Sequence, residues 1–297
     1  MQVKIAQKGG SSKTTVLSPL PVQGVTTIDD GRKWSTYIPD ENRLLIQDSP
    51  KRHFRLRTEA AGHNYRFTSE NLGSVAGRKA VTVLAVPKSP EMPTRRYWID
   101  SEYALMLRME LIKEGGRRTV MMDTKAIEFR TVADDALTLN PSADVRRIIL
   151  ESPERFRTAG EAASQVGFKP SFPGPLPYGF IVAEPQIIGD KGERFVAIRL
   201  SDGLASATVY QWRAGARNPV PCTDMELVRE AKGLRMRMVG DLPEAVLARL
   251  LDAFVREALK GLQPLSGTDL LSDAFLPLQK SGEASGIELV MIIARAI

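Results

Sequence analysis

The stretch YWIDSEYALMLRMELIKEGGRRTVMMD, residues 97–123, decides the fold. Within it Leu105, Leu107, Met109 and Leu111 recur at period two, while Arg108 and Glu110 take the alternate positions. That is the pattern of a strand with one face buried and one wet. Glu114, Gly115, Gly116 and Arg117 supply a turn, so residues 104–113 and 118–130 read as a hairpin. Moving toward the N-terminus, 65–69, 78–86 and 95–99 read as further strands. Short alternating segments at 14–17, 24–31, 34–38 and 43–47 precede them, separated by turn residues such as Asp29-Asp30-Gly31 and Pro39 to Asn42. Ser49-Pro50 sets a helix N-cap, with Pro at the first helical position, for a helix running to about Ala61 before Gly62. A single curved antiparallel sheet of roughly nine or ten strands, covered on its apolar face by that helix, is the simplest way to bury the face.

Toward the C-terminus the pattern weakens between Ala133 and Glu154, which reads as a linker with a short helix near Val145 to Leu150. Thr158 and Glu161 stand in capping-box spacing at the head of a helix to Val166. A proline-rich passage at 169–180 leads into strands at 180–188, 193–201 and 204–212, the last two joined at Ser201 to Leu204. A strand from Leu234 to Val239 then precedes a helix from Pro243 to Leu259. Its Val246, Leu247, Leu250, Leu251, Phe254, Val255 and Ala258 follow helical spacing and pack on that three-stranded sheet. Residues 260–297 offer one more strand, without a clear place. The fold class is α+β: an open curved antiparallel half-barrel with a covering helix, followed by a smaller α+β domain. The expected boundaries are 1–135 for the first domain, 136–155 for the linker, 156–260 for the second and 261–297 for a tail.

Composition bounds the function. With 297 residues, 43% hydrophobic and 26% charged, the chain can bury a sizeable core. The 41 Lys and Arg against 35 Asp and Glu leave a mild excess of +6, spread along the chain. Cys222 is the only cysteine, and His53 and His63 are the only histidines, so cysteine-built zinc and disulfide chemistry are not expected. No apolar run of about 18 residues is present, and the first ten residues lack the apolar core of a secretory signal.

No sequence motif for a nucleophile, phosphate loop, dinucleotide fold or zinc protease occurs, so no catalytic residue, cofactor or metal ligand is assigned. The Asp29-Asp30 and Asp134-Asp135 pairs and Asp123 read as solvated turn and linker carboxylates. Basic clusters at Lys51-Arg52, Arg95-Arg96, Arg117-Arg118, Arg146-Arg147 and Arg235 with Arg237 have aromatics near some of them. Such groups suit phosphates of nucleic acid or lipid headgroups, but neighbouring acids offset them and aromatics are only 6%, which weighs against nucleic acid. Met106, Met109, Met121 and Met122 place four of ten methionines on two adjacent strands. Flexible thioethers fill ordinary cores and also suit surfaces that repack around variable apolar ligands. Strand alternation selects Trp34, Leu105, Leu107, Met109, Leu111 and Met122 as candidate walls of an apolar cavity.

Three segments carry a family resemblance. DGRKWSTYIP at 30–39, VAGRKAVTVL at 75–84 and YWIDSEYALMLRME at 97–110 resemble the open-barrel domain of the LolA and RseB/MucB superfamily. LPYGF at 176–180, LSDGLASATVY at 200–210 and MVGDLP at 238–243 are similar to the second domain of RseB. The resemblance implies a non-enzymatic regulator in the periplasm or cell envelope. It would bind the extracytoplasmic part of an anti-sigma factor, shield it from proteolysis, and take lipid or lipoprotein acyl chains into the open barrel as the release signal. Similarity to LolA alone implies a lipoprotein carrier instead, and the second domain favours the regulator. Nucleic-acid binding through the basic surface is the remaining alternative. The family's chains begin with a signal peptide, a helix and a strand, whereas this sequence starts inside the strand region.

Overall fold

Asparagine and aspartate turn chemistry sets the hairpins of the first part of the chain. Between strands β3 (Thr26–Asp29) and β4 (Lys33–Ile38), the Gly31 amide donates to Asp29 Oδ1 over 2.8 Å, and the amides of Arg32 and Lys33 donate to Asp30 Oδ1 over 2.7 and 2.6 Å. Asn42 takes the left-handed conformation that turns the chain from β4 into β5 (Arg43–Asp48). Strands β1 (Gln2–Lys8) and β2 (Ser11–Ser18) precede them. The computed structural model describes residues 1–49, 58–150, 153–189, 194–216 and 227–260. The expected helix from Ser49 falls mostly outside them, as do His53, Cys222 and the tail. Within the described residues α1 (Thr58–Asn64) covers the last positions of that helix and runs on past Gly62, where the sequence reading ends it.

After α1 come five antiparallel strands: β6 (Tyr65–Val75), β7 (Arg78–Pro87), β8 (Thr94–Asp100), β9 (Met106–Ile112) and β10 (Arg118–Asp123). Then follow β11 (Arg146–Ile149), β12 (Glu154–Arg155), helix α2 (Ala159–Val166), β13 (Ile181–Ile188), β14 (Phe195–Ser201), β15 (Ser206–Arg213), β16 (Leu227–Ala231), β17 (Leu234–Gly240) and helix α3 (Glu244–Lys260).

The first eleven strands form open, mostly antiparallel sheets, divided in two where the sequence predicts one. One sheet runs β1-β2-β3-β4-β5-β11 and the other β10-β9-β8-β7-β6. Among the described residues no ladder joins β5 to β6. The short helix expected near Val145 is also corrected: Arg146–Ile149 is a strand parallel to β5, with the amides of Arg146 and Leu150 donating to the carbonyls of Asn42 and Ile46. The open edge of Leu44, Leu45 and Ile46 captures the β-branched pair Ile148-Ile149, and that edge pairing outweighs local helix propensity.

The chain packs as two units, Met1–Arg55 with Glu128–Ser152, and Leu56–Ile127 with Pro153–Ile297. The second unit holds the hydrophobic core. There β12-β13-β14-β15-β17-β16 form a sheet, and α3 buries Val246, Leu247, Leu250, Leu251 and Phe254 among Val196, Ile198, Val209, Met236 and Met238. Helix α2 is capped as its sequence predicts, with Thr158 Oγ1 accepting the Glu161 amide over 3.1 Å and Gly167 closing its end at φ 72°. No helix among the described residues is long and apolar enough to cross a membrane.

Candidate functional site

The five-stranded sheet has two unlike faces. Its register puts Val81, Val83 and Ala85 of β7 beside Ile99, Tyr97 and Arg95 of β8, and places Met106, Met109 and Leu111 of β9 on the same side. Tyr65, Val83, Ala85, Tyr97 and Ile99 are buried there, with Phe67, Met106 and Met109 partly covered. On the other side Trp98 lies between the guanidinium groups of Arg96 and Arg108, at 5.8 and 5.2 Å from its ring centre. Arg108 also donates to Glu110, and Arg96 reaches Glu70.

The alternation that selects the candidate wall is broken by a bulge. Ile99 pairs with Met106 and Trp98 with Arg108, so Leu107 is an extra residue in β9. Leu107 is buried on the Trp98 side against Val75 and Ala80, whereas Met109 lies on the Tyr97 side. Leu105, Leu107, Met109 and Leu111 therefore do not share one face. Leu105 stands before the strand and accepts the Asp100 amide through its carbonyl. Met109 and Met122 are register partners, and Leu111, also buried, shares their side. Trp34 belongs to the other packed unit, half-buried, its indole N–H donating to Thr36 Oγ1 over 3.0 Å. The structure thus brings Met109, Leu111 and Met122 together on one side of the sheet and puts Leu107 on the other.

Residues that sequence reasoning left aside form a buried polar joint on the Tyr97 side. Tyr65 Oη donates to Asp202 Oδ2 over 2.6 Å, while Asp202 Oδ1 accepts the amides of Leu204 and Ala205. Asp202 and Arg95 are only 1% and 5% exposed; the buried carboxylate is held by the Tyr65 hydroxyl and two amides, and Arg95 lies within electrostatic reach of Tyr97, Tyr65 and Asp202. Burial, and then the Asp202 charge, push the Tyr65 phenol far above its ordinary range and keep it a donor.

Beside it, Asn64 Nδ2 donates to the carbonyls of Gly179 and Asp202 over 3.0 and 2.9 Å. The turn from Ser201 to Leu204 reads from sequence as structural, with Gly203 at positive φ, and Gly203 sits at φ 105°. It is also a contact: a Cβ there would lie 2.2 Å from the Ala61 amide nitrogen of α1. Leu204 packs into the Tyr97 cluster, Met92 from the β7–β8 connection is buried in the α3 core, and Arg249 of α3 bonds Glu91 and Tyr178.

A salt bridge joins two of the sequence motifs. Arg78 donates to both carboxylate oxygens of Asp100 over 2.8 and 3.2 Å, and Asp100 Oδ1 also accepts the amides of Glu102 and Tyr103. These donors, the Arg78 guanidinium first, lower the Asp100 pKa to about 2. Arg78, Asp100 and Asp202 stand in motifs visible in the sequence, but spacing alone does not say which residues meet, and Asn64, Tyr65 and Arg95 carry no motif at all. Among the described residues no cluster of three potential metal ligands occurs.

Comparison with known proteins agrees with this architecture. Residues 12–138 match the model of the MucB/RseB N-terminal domain family. A chain in the solved Pseudomonas aeruginosa MucA/MucB complex is 16% identical with a TM-score of 0.57, covering 82% of this chain and 82% of that one. A crystal structure of MucB is 15% identical with a TM-score of 0.48, covering 83% of this chain and 86% of that one. No match is found among curated proteins. The chain is RseB/MucB-like: in its N-terminal domain by the family model, and in its α+β fold by the likeness to the complex.

Proposed function

We propose that this protein is a non-enzymatic envelope regulator that holds the extracytoplasmic part of an anti-sigma factor and responds to acyl chains of lipid or lipoprotein. One observation carries the reading. Motifs that carry the family resemblance meet in space, Arg78 with Asp100, and Leu204 of the 200–210 motif with the cluster of Val83 and Tyr97, so signatures from both expected domains converge on one packed unit. The MucB/RseB match over residues 12–138 and the fold shared with a MucA/MucB complex support the partner class. The side of the sheet bearing Met109, Leu111 and Met122 is the proposed acyl-chain wall, because half-buried thioethers adapt to ligands of varied shape. The Leu204 turn packs against this same cluster, so an acyl chain there shifts the population that holds the partner. The site of action is the cell envelope.

Native mass spectrometry with solvent extraction tests the ligand, and capture of a purified anti-sigma extracytoplasmic segment from the same organism tests the partner. The expected result is co-purifying acyl chains, capture of the segment, and release on adding lysolipid. Met109→Glu is expected to abolish acyl-chain binding in a folded chain. Acyl chains without capture would replace the regulator by a carrier, and failure of both would overturn the reading.

A further inference from the structure

Between β2 and β3 the chain turns through SPLPVQG, residues 18–24, and from Thr14 to Ile28 no residue is charged. Single exposed apolar side chains are ordinary on a protein surface. Here three are set on one loop: Leu20 is 80% exposed, with Leu17 at 46% and Val22 at 39%. Val3 of β1, whose register partner Val16 leads into the loop, is exposed as well.

The loop closes its own backbone. Pro19 and Pro21 have no amide hydrogen to satisfy. The amides of Val22, Gln23, Gly24 and Val25 donate to the carbonyls of Pro19, Leu20, Val16 and Val22 over 3.2, 3.1, 2.9 and 3.2 Å. The carbonyls of Gly24 and Val25 accept Thr26 Oγ1 and the Val16 amide. Gly24, at φ 83°, backs onto the start of the β4–β5 turn, where a Cβ would lie 3.4 Å from Pro39 Cγ. Leu20 is thus projected from a braced 3-10 turn, Leu20–Val22. Water and polar protein surfaces reward open backbone groups, whereas the acyl region of a bilayer penalises each one left unpaired. An uncharged apolar tip with its hydrogen bonds turned inward therefore suits lipid better than either. Charge does not direct the contact: Lys4 is exposed on β1, and Asp40 and Glu41 follow Pro39, with Glu41 paired to Arg43.

We propose that this loop is a membrane-docking tip, in which Leu20, flanked by Leu17 and Val22, enters the boundary between headgroups and acyl chains of a phospholipid bilayer. The tip belongs to the unit of Met1–Arg55 and Glu128–Ser152, whereas the Met109 wall belongs to the other, so the two readings stand or fall separately. A few aliphatic side chains hold a protein about as weakly as a single acyl anchor, with half of it bound on the order of 0.1 to 1 mM accessible lipid.

Flotation of the full chain with phosphatidylcholine vesicles, with or without about a quarter phosphatidylglycerol, is expected to recover it in both cases to within about threefold. Leu20→Glu is expected to weaken recovery about tenfold or more with an unchanged urea midpoint, and Met109→Glu to leave recovery unchanged. In a Cys222→Ser background, a nitrobenzoxadiazole label at Leu20→Cys is expected to shift to the blue on vesicles. The same label at Arg32→Cys, in the turn at the other end of β3, is expected to stay as it is in water. A chain that does not float overturns the proposal, and so does flotation that follows Met109→Glu instead of Leu20→Glu. Binding that needs phosphatidylglycerol and vanishes in salt overturns it in favour of the lysines. Loss of anti-sigma segment capture in Leu20→Glu, without any vesicle binding by the parent chain, overturns it in favour of a protein contact.

Discussion

In the unit of Met1–Arg55 and Glu128–Ser152, Leu44 is the one hydrophobic side chain buried among the described residues, although six strands are fully laddered there. In the unit of Leu56–Ile127 and Pro153–Ile297, strands of the same kind carry three buried clusters and a joint of buried polar groups. Turn chemistry and alternating residues suffice to form a ladder, but a sheet gains most of its free energy only when a second layer covers one face. The first unit is a ladder of half-buried threonines and aliphatics, and the second is where the fold is anchored. The largest expected effect lies at that anchor. Asp202→Ala leaves the Tyr65 hydroxyl and two amides without their acceptor and Arg95 without its neighbouring carboxylate. It is expected to cost about 3–5 kcal/mol in urea denaturation. A loss below about 1 kcal/mol would show that the joint is solvated and is not an anchor.

The contrast between the units sharpens with matched truncations. Leu250 is fully buried in the α3 core, and Leu250→Ala is expected to cost about 2–5 kcal/mol. Ile28 is half-buried in β3, and Ile28→Ala is expected to cost about 1 kcal/mol or less. Hydrogen exchange reads the same difference without mutation, with amides of β2–β4 exchanging before those of β14, β15 and β17. Equal costs, or reversed exchange, would mean that the first unit has a core of its own.

How much of this was legible depended on where a side chain's partner sits in the chain. The C-terminal elements that were read emerge from sequence within a residue or two, whereas β12 and β16, two of the six strands of that sheet, were not read. The helix stripe from Val246 to Phe254 and the turn at Ser201 to Leu204 are local signals, read over one helix or one hairpin. The bulge at Leu107 was not legible, because an extra residue leaves no mark in the hydrophobic alternation, and so the wall inferred from it divides between two faces. β11 was missed because a parallel edge strand depends on a partner a hundred residues away. The joint was missed because Asn64, Tyr65 and Arg95 look like ordinary residues around a strand until Asp202 is placed beside them.

Acid acts on the second unit through Asp100, by a smaller amount. Asp100 titrates near 2 in the folded chain against 3.8 ordinarily, because Arg78 and two amides favour its charged form. A lowered folded pKa contributes stability above the unfolded value, and that contribution is lost as pH falls from about 4 through 2. The expected loss is about 1–2 kcal/mol, read as the drop in urea midpoint between pH 5 and pH 2.5, and Asp100→Asn should flatten this part of the profile. An unchanged profile in Asp100→Asn would remove Asp100 as the cause.

The smallest effect belongs to the first unit again, at the ion pair between Lys8 and Asp134, which links residues far apart in sequence over 2.7 Å. The separation invites the idea of a strap that ties β1 to the chain beyond β10, yet Lys8 is about half exposed and Asp134 is 91% exposed. In water the attraction of such a pair is nearly offset by the entropy of fixing two mobile side chains, and salt screens what is left. Lys8→Ala is therefore expected to leave the urea midpoint unchanged within error at both low and high salt. A clear loss at low salt that disappears at high salt would show that, without a buried core, this unit draws on surface charge for its cohesion. The contrast between the two units would then be one of mechanism as well as of degree.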